Sequence, residues 1–215
     1  MKRDAEVKCF VMVGVIATIL AGCSGSPKDR RYYLLDARRE GPVATSRKDV
    51  TVSVREFSVS PRFRPNEFVY RTGKFKYTSD YYNAFLSSAG PMIGEQTRQW
   101  LSQAGLFANA VGPGSDVGPT HVLEGNITSL YGNFLDQSAP RAVMGIEFFL
   151  LEAGRESKVV FHKAYDVETP VTTSSVDDLV EAYNVCLMKI LTEFETDLHK
   201  ALPETTQPTT RDLVH

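Results

Sequence analysis

The chain has 215 residues, with 24 lysines and arginines against 26 aspartates and glutamates, for a formal net charge of −2. That balance lacks the cationic excess of a nucleic-acid binder, and the length suits one domain with tails. Cysteines stand only at positions 9, 23 and 186, too few for a disulfide framework, so stability has to come from packing.

Lys2, Arg3 and Lys8 make the N-terminus basic, diluted by Asp4 and Glu6, and every residue from Cys9 to Leu20 is apolar or small. The run falls short of the roughly 20 residues a membrane-spanning helix needs and fits a signal peptide. Leu20-Ala21-Gly22-Cys23 closes it as a bacterial lipobox. Small side chains before the cut fit a narrow protease site, and the cysteine thiol is diacylglycerylated and its new amino end acylated. Residues 1–22 are therefore expected to be a signal peptide and Cys23 the lipid attachment site; an uncleaved anchor or a buried helix is the alternative. Each buried methylene is worth about 0.8 kcal/mol, and stable anchoring takes more than one acyl chain. Ser24 follows where an aspartate would hold a lipoprotein at the inner membrane, which favours sorting to the outer membrane. Cleavage leaves 193 residues with a net charge of −3, and Cys186 without a second thiol to pair with in the chain.

Residues 23–30, polar and containing Pro27, read as a lipidated tether, and 31–202 as the folded domain. Arg31 to Asp36 is a compact strand candidate, followed by a polar, basic loop from Ala37 to Asp49. Val50, Val52, Val54 and Glu56 alternate with Thr51, Ser53, Arg55 and Phe57, which predicts a strand with one face buried. After Pro61 and Pro65, Glu67–Arg71 and Lys74–Thr78 read as a hairpin turning at Thr72-Gly73. Pro91 is expected to open a helix that stops at Gly105, with a brief strand over Phe107–Val111. His121–Tyr131, Ala142–Glu152 and Lys158–Glu168 read as three strands of an antiparallel meander. Val176, Leu179, Val180, Tyr183, Leu187, Ile190, Leu191, Phe194 and Leu198 recur at steps of three and four, an amphipathic helix capped by Ser174 or Ser175. Residues 203–215, rich in Thr and Pro, read as a disordered tail.

Chemistry is sparse. His121, His162, His199 and His215 never stand three or four apart, no G-x-S-x-G nucleophile elbow occurs, and the glycines at 112, 114 and 118 precede a strand where a phosphate loop needs a helix. No catalytic or metal-binding residue is assigned and no cofactor is expected beyond the acyl chains on Cys23. The carboxylates of Asp177, Asp178, Glu193 and Glu195 are expected in solvent, and Cys186 in the core. Two surfaces are candidates. Lys28, Arg30, Arg31, Arg38, Arg39, Arg47 and Lys48 form a basic cluster that either touches anionic headgroups or is a solvated loop. Tyr77, Tyr81, Tyr82 and Phe85 form an aromatic loop that is either a partner-contact patch or part of the core.

The order of these motifs resembles the ABC-type transport auxiliary lipoproteins, the PqiC-like family. The lipobox, Arg31-Tyr32-Tyr33-Leu34-Leu35-Asp36, Val50-Thr51-Val52-Ser53-Val54, Phe68-Val69-Tyr70-Arg71 with Tyr77, and Pro91-Met92-Ile93 through Gly105-Leu106-Phe107 carry the likeness, over roughly residues 18–200. The family often has Trp after the tyrosine loop, where this chain has Tyr82 or Phe85. The resemblance implies an α/β domain with a mixed, largely antiparallel sheet and two main helices, similar to the N-terminal domain of TolB. It further implies a non-enzymatic lipoprotein at the periplasmic face of the outer membrane. There it would be a docking or collar component for an MCE-domain protein and its ABC or integral-membrane partner in lipid transport, with self-association into a ring. A lipoprotein activator or scaffold of cell-envelope synthesis would share the anchor and the absence of a catalytic set.

Overall fold

In the computed structural model, residues 29–43, 50–173 and 175–202 are described. Cys23, Ser24, the signal peptide and the tail from 203 lie outside the described residues, as does most of the tether. The elements are β1 (Arg31–Tyr33), β2 (Thr51–Val54), β3 (Ser58–Val59), β4 (Glu67–Arg71), β5 (Tyr77–Phe85), α1 (Ala89–Ala104), β6 (Asn109–Val111), β7 (His121–Asn133), β8 (Arg141–Glu152), β9 (Lys158–Pro170) and α2 (Val176–Ala201).

One mixed sheet holds all nine of these strands. Strands β7, β8 and β9 form the antiparallel meander, each paired with the next along nearly its whole length. At about 3.3 Å per residue, the thirteen residues of β7 are long enough to take three short partners on its other edge. Strands β2, β3 and β4 occupy that edge in turn, all parallel to β7. Beyond them, β6 runs parallel to β2, β5 antiparallel to β4, and β1 parallel to β5.

Both helices contribute to one hydrophobic core, α1 against β2, β3, β6 and β7, and α2 against β8 and β9. In α2, Leu179, Tyr183, Leu187, Ile190, Leu191, Phe194 and Leu198 are all buried, as the spacing predicts. Ser175 is the N-cap: its hydroxyl accepts from the Asp178 backbone N–H at 3.1 Å, while Asp177 and Asp178 complement the dipole in the first turn. Helix α1 begins at Ala89, two residues before Pro91. The proline still falls in the first turn, where an N–H has no intrahelical acceptor. Gly105 closes the helix in the left-handed region, at φ 69°.

Two departures from simple alternation set the core. In β7, Leu123 and Ile127 point inward on one phase and Leu130 on the other, because the pairing with β8 shifts register between Ile127 and Ser129. A bulge of this kind flips every later side chain, and without it Leu130 would face out. The second departure corrects the expected Val50–Phe57 strand: β2 ends at Val54, and Phe57, expected on the face opposite the valines, is buried with them, edge-on to Phe148 at 5.7 Å. The chain leaves the sheet after Val54, which frees Phe57 from the strand's period. Strand β1 is also shorter than expected, ending at Tyr33. Strands β7 and β9 each run two residues further than expected, and β8 begins one residue earlier.

Candidate interaction surface

The aromatic segment expected to be a loop is strand β5, and its four aromatics go to three places. Phe85, proposed as a contact residue, is a correction: it is 3% exposed, with its ring 4.5 Å from that of Phe68 and 6.1 Å from that of Tyr183. Tyr77 stands at the hairpin end of the strand, edge-on to Tyr131 at 5.6 Å. Tyr81 and Tyr82 project from a bulge in the middle.

Asp80 builds that bulge. Residues 67 to 69 of β4 face residues 84 to 79 of β5, so the longer side has to loop out. The Asp80 carboxylate collects the loose ends: it accepts from the Tyr82 and Asn83 backbone N–H groups at 2.8 and 3.2 Å, and from the Tyr70 hydroxyl and the Asn83 amide at 2.7 Å each. Burial works to raise the pKa of Asp80. The hydrogen bonds from Asn83, Tyr70 and the backbone outweigh it and hold the carboxyl below its usual range. The same burial, together with the bond to Asp80, pushes the Tyr70 hydroxyl up, so it stays a neutral donor. The bracket thus fixes two outward tyrosines on a rigid base: Tyr81 is 75% exposed and lies edge-on to Tyr82 at 5.3 Å.

Strand β1 extends this patch. Tyr32 pairs opposite Ala84 and Tyr33 opposite Phe85, and the Leu86 N–H donates to the Tyr33 carbonyl at 2.8 Å. Leu34 therefore lies level with Leu86. Alternation sends Tyr33 inward onto Phe68, and Tyr32 and Leu34 outward. The Arg30 guanidinium lies over the Tyr32 ring at 5.7 Å and pairs with Glu67. Tyr32, Leu34, Tyr81, Tyr82 and Leu86 are all exposed, a grouping of apolar surface of the kind that marks contact sites. The sequence offers Arg31 to Asp36 only as a compact strand candidate, and does not separate the outward Tyr32 and Leu34 from the inward Tyr33 and Leu35 or mark Leu86.

At the opposite end of β5 the hairpin turns through Thr72–Lys76, held by reciprocal backbone bonds between Gly73 and Lys76. Phe75 sits at this tip, 86% exposed, between Lys74 and Lys76, with the Lys74 ammonium 5.2 Å over its ring. The sequence reading puts Phe75 inside a strand over Lys74–Thr78; the strand instead begins at Tyr77, and the turn that replaces its start leaves the Phe75 ring no core to enter.

The basic cluster is divided. Arg38 pairs with Asp36, and Arg30 with Glu67, while Lys28, Arg47 and Lys48 lie outside the described residues. Arg39 is a correction: its side chain is 6% exposed and forks onto both carboxylate oxygens of Glu195, at 2.9 and 2.8 Å. Glu195, expected in solvent, also accepts from the Trp100 indole at 2.7 Å. His162 stacks on Phe149 and bonds Glu147, His121 is half-buried with its pKa lowered by that burial, and His199 is exposed on α2. Cys186 is free and fully buried, 3.2 Å from the Thr169 hydroxyl, and burial pushes its thiol pKa up. Among the described residues no group of three or more His, Cys, Asp or Glu could hold a metal, and no helix is long and apolar enough to cross a membrane.

These elements define a mixed α/β fold, an open sheet with two helices on it, that is shared with solved proteins. Protein XCC0632 from Xanthomonas campestris, of the DUF330 family, matches with a TM-score of 0.71 at 15% identity, over 80% of this chain and 95% of its own. An uncharacterized protein matches at 0.62 and 16% identity, over 79% and 99%. The PelC dodecamer from Paraburkholderia phytofirmans matches at 0.42 and 18% identity, over 72% and 93%. No family model matches the chain, and no curated protein does.

Proposed function

We propose that this chain is a non-enzymatic lipoprotein of the bacterial envelope, anchored by acyl chains on Cys23, that docks or collars an MCE-domain protein of a lipid-transport system at the outer membrane. The lipobox and the motif order support the anchor and the partner class. The observation that carries the docking role is the position of Phe75. It stands at the tip of a hairpin whose strand β5, bulge included, matches only the five residues of β4, so about 20 Å separates it from the end of β5 that pairs with β1. The tip stands clear of the sheet with the Phe75 ring in solvent, where a bridging protein can reach it. An aromatic flanked by two lysines suits a partner with an apolar pocket rimmed by acidic groups.

The test is a photo-crosslinking residue at position 75 of the full chain in its own cells, with the captured protein identified by mass spectrometry. Capture of an MCE-domain protein is expected. Capture of a cell-wall synthase instead would replace this reading with a role in envelope synthesis.

A further inference from the structure

We infer that the patch formed by Tyr32, Leu34, Tyr81, Tyr82 and Leu86 rests on the phospholipid surface of the membrane that anchors the chain, and so fixes the orientation of the domain. This rests on the lipid-anchor reading of Cys23.

The length of chain outside the described residues decides the occupant. The six residues from Cys23 to Lys28 reach at most roughly 20 Å when fully extended. A domain of this size has a radius of gyration near 15 Å and is therefore about 40 Å across. The tether is too short to let the domain turn its opposite side to the bilayer. It joins the sheet at Arg30–Arg31, and Arg31 lies level with Asn83, directly beside the bulge that carries Tyr81 and Tyr82. The exposed apolar surface and the point of attachment are thus on the same edge.

The side chains suit an interface more than a second protein core. Tyrosine rings favour the headgroup level, where the ring is buried and the hydroxyl stays wet. Exposed Arg31 lies alongside and can meet phosphates, while Leu34 and Leu86 supply purely apolar contact. The Asp80 bracket makes the patch rigid, so contact restricts the tilt of the whole domain.

A benzoylphenylalanine residue placed at position 81 or 32 of the full chain, with position 159 on β9 as reference, tests this in cells. Irradiation is followed by mass analysis of the adducts, and incorporation of labelled fatty acid at Cys23 is measured on the same samples. Phospholipid adducts at 81 and 32, absent at 159, are expected, together with their loss at position 32 in the Tyr81→Ser/Tyr82→Ser variant. Adducts to another protein or to a second copy, or equal lipid adducts at all three positions, overturn the inference. Absence of fatty-acid label at Cys23 overturns the anchor reading itself, and that readout is independent of the adducts.

Discussion

The Arg39 guanidinium and the Glu195 carboxylate form a two-pronged pair across 156 residues of sequence, tying the loop after β1 to the last helix. The indole of Trp100 on α1 completes the acceptor's set at 2.7 Å, so three separate segments meet on one carboxylate.

This geometry predicts an asymmetry between the two truncations. Glu195→Ala removes the counter-charge of a guanidinium that is 6% exposed, leaving it only the Gly41 and Pro42 carbonyls, and leaves the Trp100 N–H without its acceptor, at a cost of about 3 kcal/mol. Arg39→Ala leaves a carboxylate that is 21% exposed and still bonded to Trp100, and costs less. Urea unfolding at neutral pH, followed through the fluorescence of Trp100, the chain's one tryptophan, measures both. A larger loss in Arg39→Ala than in Glu195→Ala would overturn the assignment of Glu195 as the shared acceptor.

Very little of that pair could be read from the sequence. Arg39 stands in a polar, glycine- and proline-containing stretch that looks like any solvated loop, and charge alone does not say which of 26 carboxylates it will meet. Glu195 adjoins Phe194 at the flank of the α2 stripe rather than on its far side, so periodicity placed it only approximately. The meander and α2 were legible because their signals are local: each has its own period, and turn residues separate the strands. The first half of β5 gave no such signal, because Tyr77, Thr78, Ser79, Tyr81 and Tyr82 are exposed and only Asn83, Ala84 and Phe85 are buried. The parallel pairings of β2, β3 and β4 on β7 depend on long-range register, which no local pattern encodes.

Asp80 gives a pH prediction. Its carboxyl pKa is lower in the folded protein than in the unfolded chain, so folding binds the ionised form more favourably. That contribution is fully present above the unfolded value of about 3.9 and is lost as pH falls through the folded value. Asp80→Asn removes the charge while keeping an acceptor oxygen. The variant should be less stable than the parent at pH 7, and the two urea midpoints should converge in acid. Asp197, lowered chiefly by Lys163, and Glu95, lowered chiefly by Arg98, titrate in the same direction in both proteins. Midpoints that stay parallel down to strongly acidic pH would show that the bracket does not depend on Asp80's charge.

The aromatics of the β4–β5 hairpin should separate cleanly by stability. Phe75→Ser changes a side chain that is 86% exposed and should alter unfolding free energy by no more than about 0.5 kcal/mol. Phe85→Ala empties a site packed against Phe68 and Tyr183, where loss of a buried phenylalanine costs about 3–5 kcal/mol. Thermal unfolding of both variants checks this. A strongly destabilised Phe75→Ser would mean that the tip supports the fold, and crosslinking at position 75 would lose its meaning as a probe of docking.

Gly125 and Phe57 make the last prediction, because each is required by the other. A Cβ added at Gly125 would sit 2.6 Å from the Phe57 ring, inside any permitted contact distance. The ring cannot simply withdraw, since Phe148 lies edge-on to it at 5.7 Å and the Phe57 carbonyl lies 2.3 Å from where a Cβ on Gly90 of α1 would be. Gly125→Ala alone should therefore destabilise the protein by about 1–3 kcal/mol through overpacking. Phe57→Leu alone should cost a comparable amount by leaving a cavity. In the double variant the added methyl enters space that the shortened side chain has vacated, so the combined loss should fall short of the sum by about 1 kcal/mol or more. Urea midpoints for the four proteins of the cycle measure that difference. Strict additivity would mean that Gly125 is required for its backbone and not for the ring above it.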